Sequence, residues 1–196
     1  MKVKTLKSKQ GNLVSGPLIL SPHVFEDDRG WFFESWNQIH FNEAVGEVVE
    51  FSQDNHSQST QGILRGLHYQ LSPQPQAKLV RSSFGEIFDV AVDLRRSSPT
   101  FGQWISARLS SENKFQLWIP EGFAHGFLTL SSVAEVQYKV RGFWNKTCEH
   151  VIRWNDPELD IAWPQNELNG SDISLSEKDQ VSIEFHAAIK AGYLFA

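Results

Sequence analysis

Glu86-Ile87-Phe88-Asp89-Val90-Ala91-Val92-Asp93-Leu94 is the stretch on which the architecture turns. Phe88, Val90, Val92 and Leu94 alternate with Ile87, Asp89, Ala91 and Asp93, the period-two pattern of a β-strand. Ser98-Pro99 breaks the run, and Gly102 to Leu109 begins the next strand. Phe115, Leu117 and Ile119 share a face before Pro120, and Phe127 to Leu130 is apolar. In Glu135 to Arg141, Val136, Tyr138 and Val140 point one way while Glu135, Gln137, Lys139 and Arg141 point the other. Upstream, Leu18 to Phe25 and Trp31 to Trp36 read as strands around the turn signal Asp27-Asp28-Arg29-Gly30. Asn37 to Val45 reads as a short helix and Val48 to Asn55 as extended chain. The tail after Trp163 is polar and reads as loop, with a helix start at Ser176. Short strands at turn-separated intervals indicate an all-β sandwich or barrel with a few short peripheral helices.

The chain's 196 residues suit one domain over residues 1–196, its core spanning about residues 17–180. Fourteen Phe and seven Trp favour the half-buried surfaces of sheets. A net charge of −5 with scattered basic residues argues against wholesale binding to nucleic acid or to an anionic membrane. A single cysteine, Cys148, rules out an internal disulfide and a cysteine-based metal site, and fits a reducing cytoplasm. No stretch reads as a signal peptide or as a span across a bilayer.

Two histidines carry the chemistry. His68 lies in Arg65-Gly66-Leu67-His68-Tyr69-Gln70, and His125 in Pro120-Glu121-Gly122-Phe123-Ala124-His125-Gly126. An imidazole ordinarily exchanges protons near neutral pH. Pro-x-Gly-x-x-His is also the second motif of the cupin barrels, where that His often binds a metal. The usual metal set needs a His-x-His pair upstream, and Gln70 stands where the second His belongs. Four good ligands cannot be assembled, so no metal is expected and both imidazoles are free for acid–base or hydrogen-bonding work. Tyr138 points inward, either as a core aromatic or as a general acid. Ser176 and Asp179 resemble a capping box, while Asp179 could instead orient an imidazole. Lys78 and Arg65 are either solvated charges or anion holders. Arg65 sits in an otherwise apolar strand, where an unpaired charge is costly, and a guanidinium suits a diphosphate. Strict alternation puts Arg65 and His68 on opposite faces, and a bulge or bend at Gly66 would bring them together.

Taken in order, these runs resemble the dTDP-4-dehydrorhamnose 3,5-epimerase family. The resemblance extends from Phe25 to Asp179. Its blocks include Phe25-Glu26-Asp27-Asp28-Arg29-Gly30, Gln53-Asp54-Asn55-His56-Ser57, Leu64 to Gln70, Gln76 to Arg81, Gly85 to Arg95, Gln116 to Phe127, Tyr138-Lys139 and Leu175 to Asp179. The resemblance implies a cupin-type jelly roll, or double-stranded β-helix, working without metal or other cofactor. It implies a homodimer with exchanged N-terminal strands and a dTDP-4-keto-6-deoxyhexose substrate. His68 is then the base, Asp179 its orienting partner, Tyr138 the acid on the other face and Lys78 the stabiliser of the enolate oxygen. Arg65 holds the diphosphate and His125 binds near the sugar. Arg29, Glu34, Gln53, Asp54, Asn55, Glu149 and Lys178 match positions lining the nucleotide and sugar pocket, some of them reaching it from the partner. After Tyr138 the chain reads Lys139-Val140-Arg141-Gly142-Phe143-Trp144, where many relatives carry a pair of tyrosines. This departure keeps a monoepimerase acting at C3 or C5 alone as the alternative. A metal-dependent cupin oxygenase and a non-catalytic sugar-binding jelly roll are the competing classes.

Overall fold

The computed structural model describes all 196 residues. In chain order the strands are β1 (Lys2–Lys7), β2 (Leu13–Ser21), β3 (Phe25–Asp27), β4 (Gly30–Phe32), β5 (Gln53–Thr60), β6 (Leu64–Gln70), β7 (Ala77–Phe84), β8 (Glu86–Asp93), β9 (Trp104–Ser110), β10 (Gln116–Ile119), β11 (Phe123–Thr129), β12 (Val133–Arg141) and β13 (Glu149–Val151). The helices are α1 (Gln38–Val45), α2 (Glu177–Gln180) and α3 (Phe185–Ala191). A six-stranded sheet, β1-β2-β10-β7-β12-β5, faces a five-stranded sheet, β13-β6-β11-β8-β9. Every pairing within both sheets is antiparallel. This is the all-β jelly roll that the alternating runs and the resemblance led us to expect.

The alternation in β8 explains the layering. Its Ile87 and Ala91 join Val80, Leu117, Ile119, Phe123, Phe127 and Val136 in the core between the sheets. Val90 and Val92, with Leu94 just beyond, point the other way into a second core. There Trp163, Leu168, Phe185, Ala188 and Leu194 of the C-terminal segment cover the outer face of the five-stranded sheet. Each fully buried Val, Leu or Ile contributes about 1.5–3 kcal/mol, so β8 is held from both sides. A third cluster, Leu20, Phe41, Val49, Ala77, Leu79 and Trp118, seats α1 on the outer face of the six-stranded sheet.

The element boundaries differ from the sequence reading in ways that have physical causes. Leu18 to Phe25 is not one strand. β2 starts earlier, at Leu13, and stops at Ser21, and Pro22, which has no N–H to donate to a ladder, separates it from β3. Of Trp31 to Trp36 only Trp31 and Phe32 are strand. The Ser35 carbonyl accepts instead from the Gln116 side chain at 2.8 Å as the chain turns towards α1. That helix is capped by Asn37, whose side-chain oxygen accepts from the N–H groups of Ile39 and His40. Extended chain expected at Val48 to Asn55 becomes the strand β5 only from Gln53 and runs on to Thr60. The tail is not merely looped: besides α2, which starts where a helix was expected, it carries a 3-10 turn at Gln165–Glu167 and α3. Ser176 caps α2, its hydroxyl accepting from the Asp179 N–H at 3.2 Å.

Candidate active site

A cavity of about 270 Å³ opens between the sheets at one end of the sandwich. His68 and Gln70 of β6 and Glu149 of β13 line one wall, and Lys78 of β7 with Tyr138 and Val140 of β12 line the other. Gln53, Asn55, Tyr69, Gln76 and Trp144 complete it.

His68 reaches this space because Gly66 resets the strand. Leu64, Leu67 and Tyr69 all pack into the outer core although 64 and 67 have opposite parity, so Arg65 and His68 share the inner face. Gly66 has φ +131°, and across from it the β6–β11 register slips between His125 and Phe127. A Cβ here would stand 2.5 Å from the Gly126 Cα and 2.8 Å from the His125 carbonyl oxygen. Only glycine fits, and the bend that puts Arg65 and His68 on one face is present.

The Nε2 of His68 lies 2.5 Å from Oδ1 of Asp179, whose side chain is only 3 % exposed. An ionised carboxylate only accepts, so Nε2 carries the proton and Nδ1 is left as the basic nitrogen. Burial pushes the Asp179 carboxyl up, but the bonds from His68, from Ser176 and from the Gly66 N–H outweigh it and hold the carboxyl below its ordinary range. Asp179 thus gives its backbone N–H to the Ser176 cap and locks an imidazole with its side chain, so the helix start and the orienting carboxylate, left as alternatives by the sequence, coexist.

His125 donates from Nε2 to both oxygens of Asp89, at 3.0 and 3.1 Å. Burial drives its pKa down against the pull of Asp89, and nearby Lys78 and His68 add to the fall, so the ring is neutral. Asp89 is fully buried on the inner face of β8. No role was assigned to it from sequence, although a carboxylate among Ile, Val and Ala is itself a signal, since a buried charge demands a partner. Lys78 is drawn down to about 8 by burial, with Asp89 and Glu149 pulling it back up. Burial raises the Tyr138 phenol, partly offset by the charge of Arg65.

Gln53 and Asn55 face the cavity and are bonded to each other at 2.9 Å. Asp54 between them points to the opposite face, where it pairs with Lys139 at 2.6 Å. The structure does not bring it to His68. Arg65 reaches across to β5, donating to the Ser59 hydroxyl and the Gln58 carbonyl. Lys178 neutralises Glu149 at 2.5 Å. Arg29 and Glu34 are elsewhere in this protomer. Arg29 is on the exposed β3–β4 hairpin, paired with Asp27 at 2.6 Å, and Glu34 pairs with His40 beyond the hairpin. Gln70, Gln76 and Trp144 line the cavity without having been singled out. No group of three or more His, Cys, Asp or Glu side chains converges to hold a metal ion.

The arrangement offers a basic nitrogen on one sheet, a protonated phenol on the facing sheet and an ammonium near both. Comparison with known proteins points the same way. The family model for dTDP-4-dehydrorhamnose 3,5-epimerase matches residues 12–187. The dTDP-4-dehydrorhamnose 3,5-epimerase of Pseudomonas aeruginosa is 60 % identical over 163 residues, covering 83 % of this chain and 87 % of that protein. The structure of dTDP-6-deoxy-D-glucose-3,5-epimerase from Legionella pneumophila, in complex with dTDP-4-keto-L-rhamnose, superposes with a TM-score of 0.88 at 43 % identity, over 99 % of this chain and 98 % of that one. The rmlC epimerase of Mycobacterium tuberculosis gives 0.91 at 37 % identity over 100 % and 94 %. Sequence, fold and cavity agree that the chain belongs to the dTDP-4-dehydrorhamnose 3,5-epimerase family.

Proposed function

We propose that the chain epimerises dTDP-4-dehydro-6-deoxy-D-glucose at C3 and C5, giving dTDP-4-dehydro-L-rhamnose. The observation that carries this reading is the His68–Asp179 pair, 2.5 Å apart, opening onto the cavity that Tyr138 lines from the facing sheet. The C4 ketone acidifies the hydrogens on both neighbouring carbons. His68 takes the proton, and the imidazolium that forms is stabilised by Asp179. The electron pair moves onto the C4 oxygen, where the Lys78 ammonium, desolvated and close, meets the developing charge. Tyr138 then returns a proton to the carbon from the opposite side. Its raised pKa keeps it protonated until that step. Solvent restores both groups. The sequence is repeated at the second carbon. No electrons are gained or lost overall, so the reaction needs no redox cofactor.

Gln53, Asn55, Glu149 and Lys178 frame the sugar and base, and Arg65 neutralises the diphosphate. His125 keeps Nδ1 as an acceptor for a sugar hydroxyl. Arg29 and Glu34 act in a second copy. Phe25, Trp31 and Phe32 on the hairpin are more than half exposed, which suits an arm that docks on a partner. We therefore read the active form as a homodimer in which the N-terminal strands are exchanged. β1, which here pairs with its own β2 at the edge of the larger sheet, is the segment that would be donated. The buried lone Cys148 fits a cytoplasmic setting, and no helix is long and apolar enough to cross a membrane.

Proton NMR of the product formed in deuterated water tests the reading. Label is expected at both C3 and C5, and a His68→Ala variant that still folds should incorporate almost none. Label at one carbon only would replace this proposal with a monoepimerase, and incorporation unaffected by His68→Ala would dismiss the base assigned here.

A further inference from the structure

The last residues of the chain extend past the family match, which ends at residue 187, yet they pack behind the site. In the β6–β13 ladder the pairs are Glu149 with Gln70, His150 with Tyr69 and Val151 with His68. Side chains alternate across a strand, so Tyr69 and His150 stand on the back of the strands whose fronts present His68 and Glu149. The Tyr69 hydroxyl donates to the Tyr193 carbonyl at 2.7 Å. The His150 ring lies between Tyr69, at 5.5 Å and 29°, and Tyr193, at 4.5 Å and 32°.

The tail is itself tied down. Phe195 donates to the Leu94 carbonyl and accepts from the Arg96 N–H, Arg96 also reaches the Ile189 carbonyl at 2.7 Å, and Leu194 is buried. β13 has only three residues and β6 is its one partner in the sheet; beyond the sheet the Ile183 N–H holds the Val151 carbonyl at 3.0 Å and Lys178 pairs with Glu149, while the His150 ring between them is backed by Tyr193.

We propose that Tyr193 is a positioning residue: the C-terminal tail clamps the Tyr69–His150 pair from behind and thereby sets the depth at which His68 and Glu149 enter the cavity. This rests on the epimerase reading above. Geometry relayed in this way is costly to lose, since a displacement of about 1 Å at the reacting groups can cost up to about 100-fold in rate.

The test uses the full-length protein, a version lacking residues 193–196, Tyr193→Ala and Tyr193→Phe, each checked for folding by circular dichroism. Two quantities are read. One is kcat with dTDP-4-keto-6-deoxyglucose. The other is the low-field N–H resonance of the His68–Asp179 bond, identified by its loss in Asp179→Asn. Truncation and Tyr193→Ala should lower kcat by about tenfold or more and broaden that resonance through faster solvent exchange. Tyr193→Phe, which keeps the ring, should restore both. Wild-type kcat with an unaltered resonance in a folded truncated protein overturns the proposal. Should the truncation not fold, the same result in Tyr193→Ala does so. If the wild type turns over no sugar nucleotide while the resonance still depends on Tyr193, the functional reading falls and the clamp stands.

Discussion

Replacing Lys78 with methionine should make the protein more stable and less active. The ammonium is held in a desolvated place that draws its pKa from 10.5 to about 8, even with Asp89 and Glu149 pulling the other way. Each pH unit is worth about 1.4 kcal/mol, so holding the charged form in the fold costs about 3 kcal/mol at neutral pH. The direction with pH follows from proton counting. Between about 8 and 10.5 the unfolded chain binds this proton more fully than the folded one, so wild-type stability gains from Lys78 as pH rises through that window. Below about 8 the full penalty applies, and above 10.5 it is gone. Lys78→Met, similar in length and uncharged, should therefore gain up to about 3 kcal/mol below pH 8, and the gain should vanish towards pH 10.5. Urea titrations of the two proteins, followed by tryptophan fluorescence at pH 6.5, 8, 9.5 and 10.5, measure the difference directly. Turnover should fall by about 100-fold or more with loss of the donor to the enolate oxygen. In the wild type, activity should decline as pH rises through about 8. A methionine variant less stable than wild type at pH 6.5, or a difference that does not change with pH, would refute the reasoning.

Asp179→Asn should lower kcat by about 100- to 10,000-fold, because an amide neither fixes the tautomer nor stabilises the imidazolium; deuterium incorporation at wild-type rate would remove Asp179 from the mechanism. Asp89→Asn removes the charge that supports the Lys78 ammonium, so the alkaline fall in activity should move to lower pH; a pH–rate profile with that limb unmoved tells against the coupling. Gly66→Ala forces a Cβ against the backbone of Gly126 and His125 at a φ that L-residues avoid. It should cost about 3–5 kcal/mol, seen as a lowered thermal midpoint, and a midpoint equal to wild type would contradict the close approach.

The strands that could be read from sequence were those with a covered face. β8 announced itself because each of its faces meets a different core. β5 was read as extended only as far as Asn55, because Gln53 to Thr60 is polar throughout: it is the edge of its sheet, and its inner face meets a polar cavity rather than a core. The same period of two that identifies β8 also turns Asp54 away from Gln53 and Asn55, with which the resemblance had grouped it. His68 and Asp179 are 111 residues apart, and only the resemblance linked them before the fold did. Asp89 was visible as one half of an alternating pattern, and its meaning as a charge in an apolar run went unread. The helix start at Ser176 was legible from its cap, but α3 was not, because the buried side chains of the tail, Trp163, Leu168, Phe185, Ala188 and Leu194, are spaced irregularly and pack on a sheet formed by distant residues.

The proposed base and acid stand on opposite sheets, His68 on β6 and Tyr138 on β12. Facing sheets lie about 10 Å apart, and two inward-reaching rings take up much of that width. On the proposed roles the sugar ring lies between them. The interior residues Ile87, Ala91, Val80 and Val136 thus serve as spacers. Their combined thickness is a caliper for the gap between the sheets, so on the proposed roles the two faces of a pyranose meet different walls and inversion at carbon follows from the stacking of the layers.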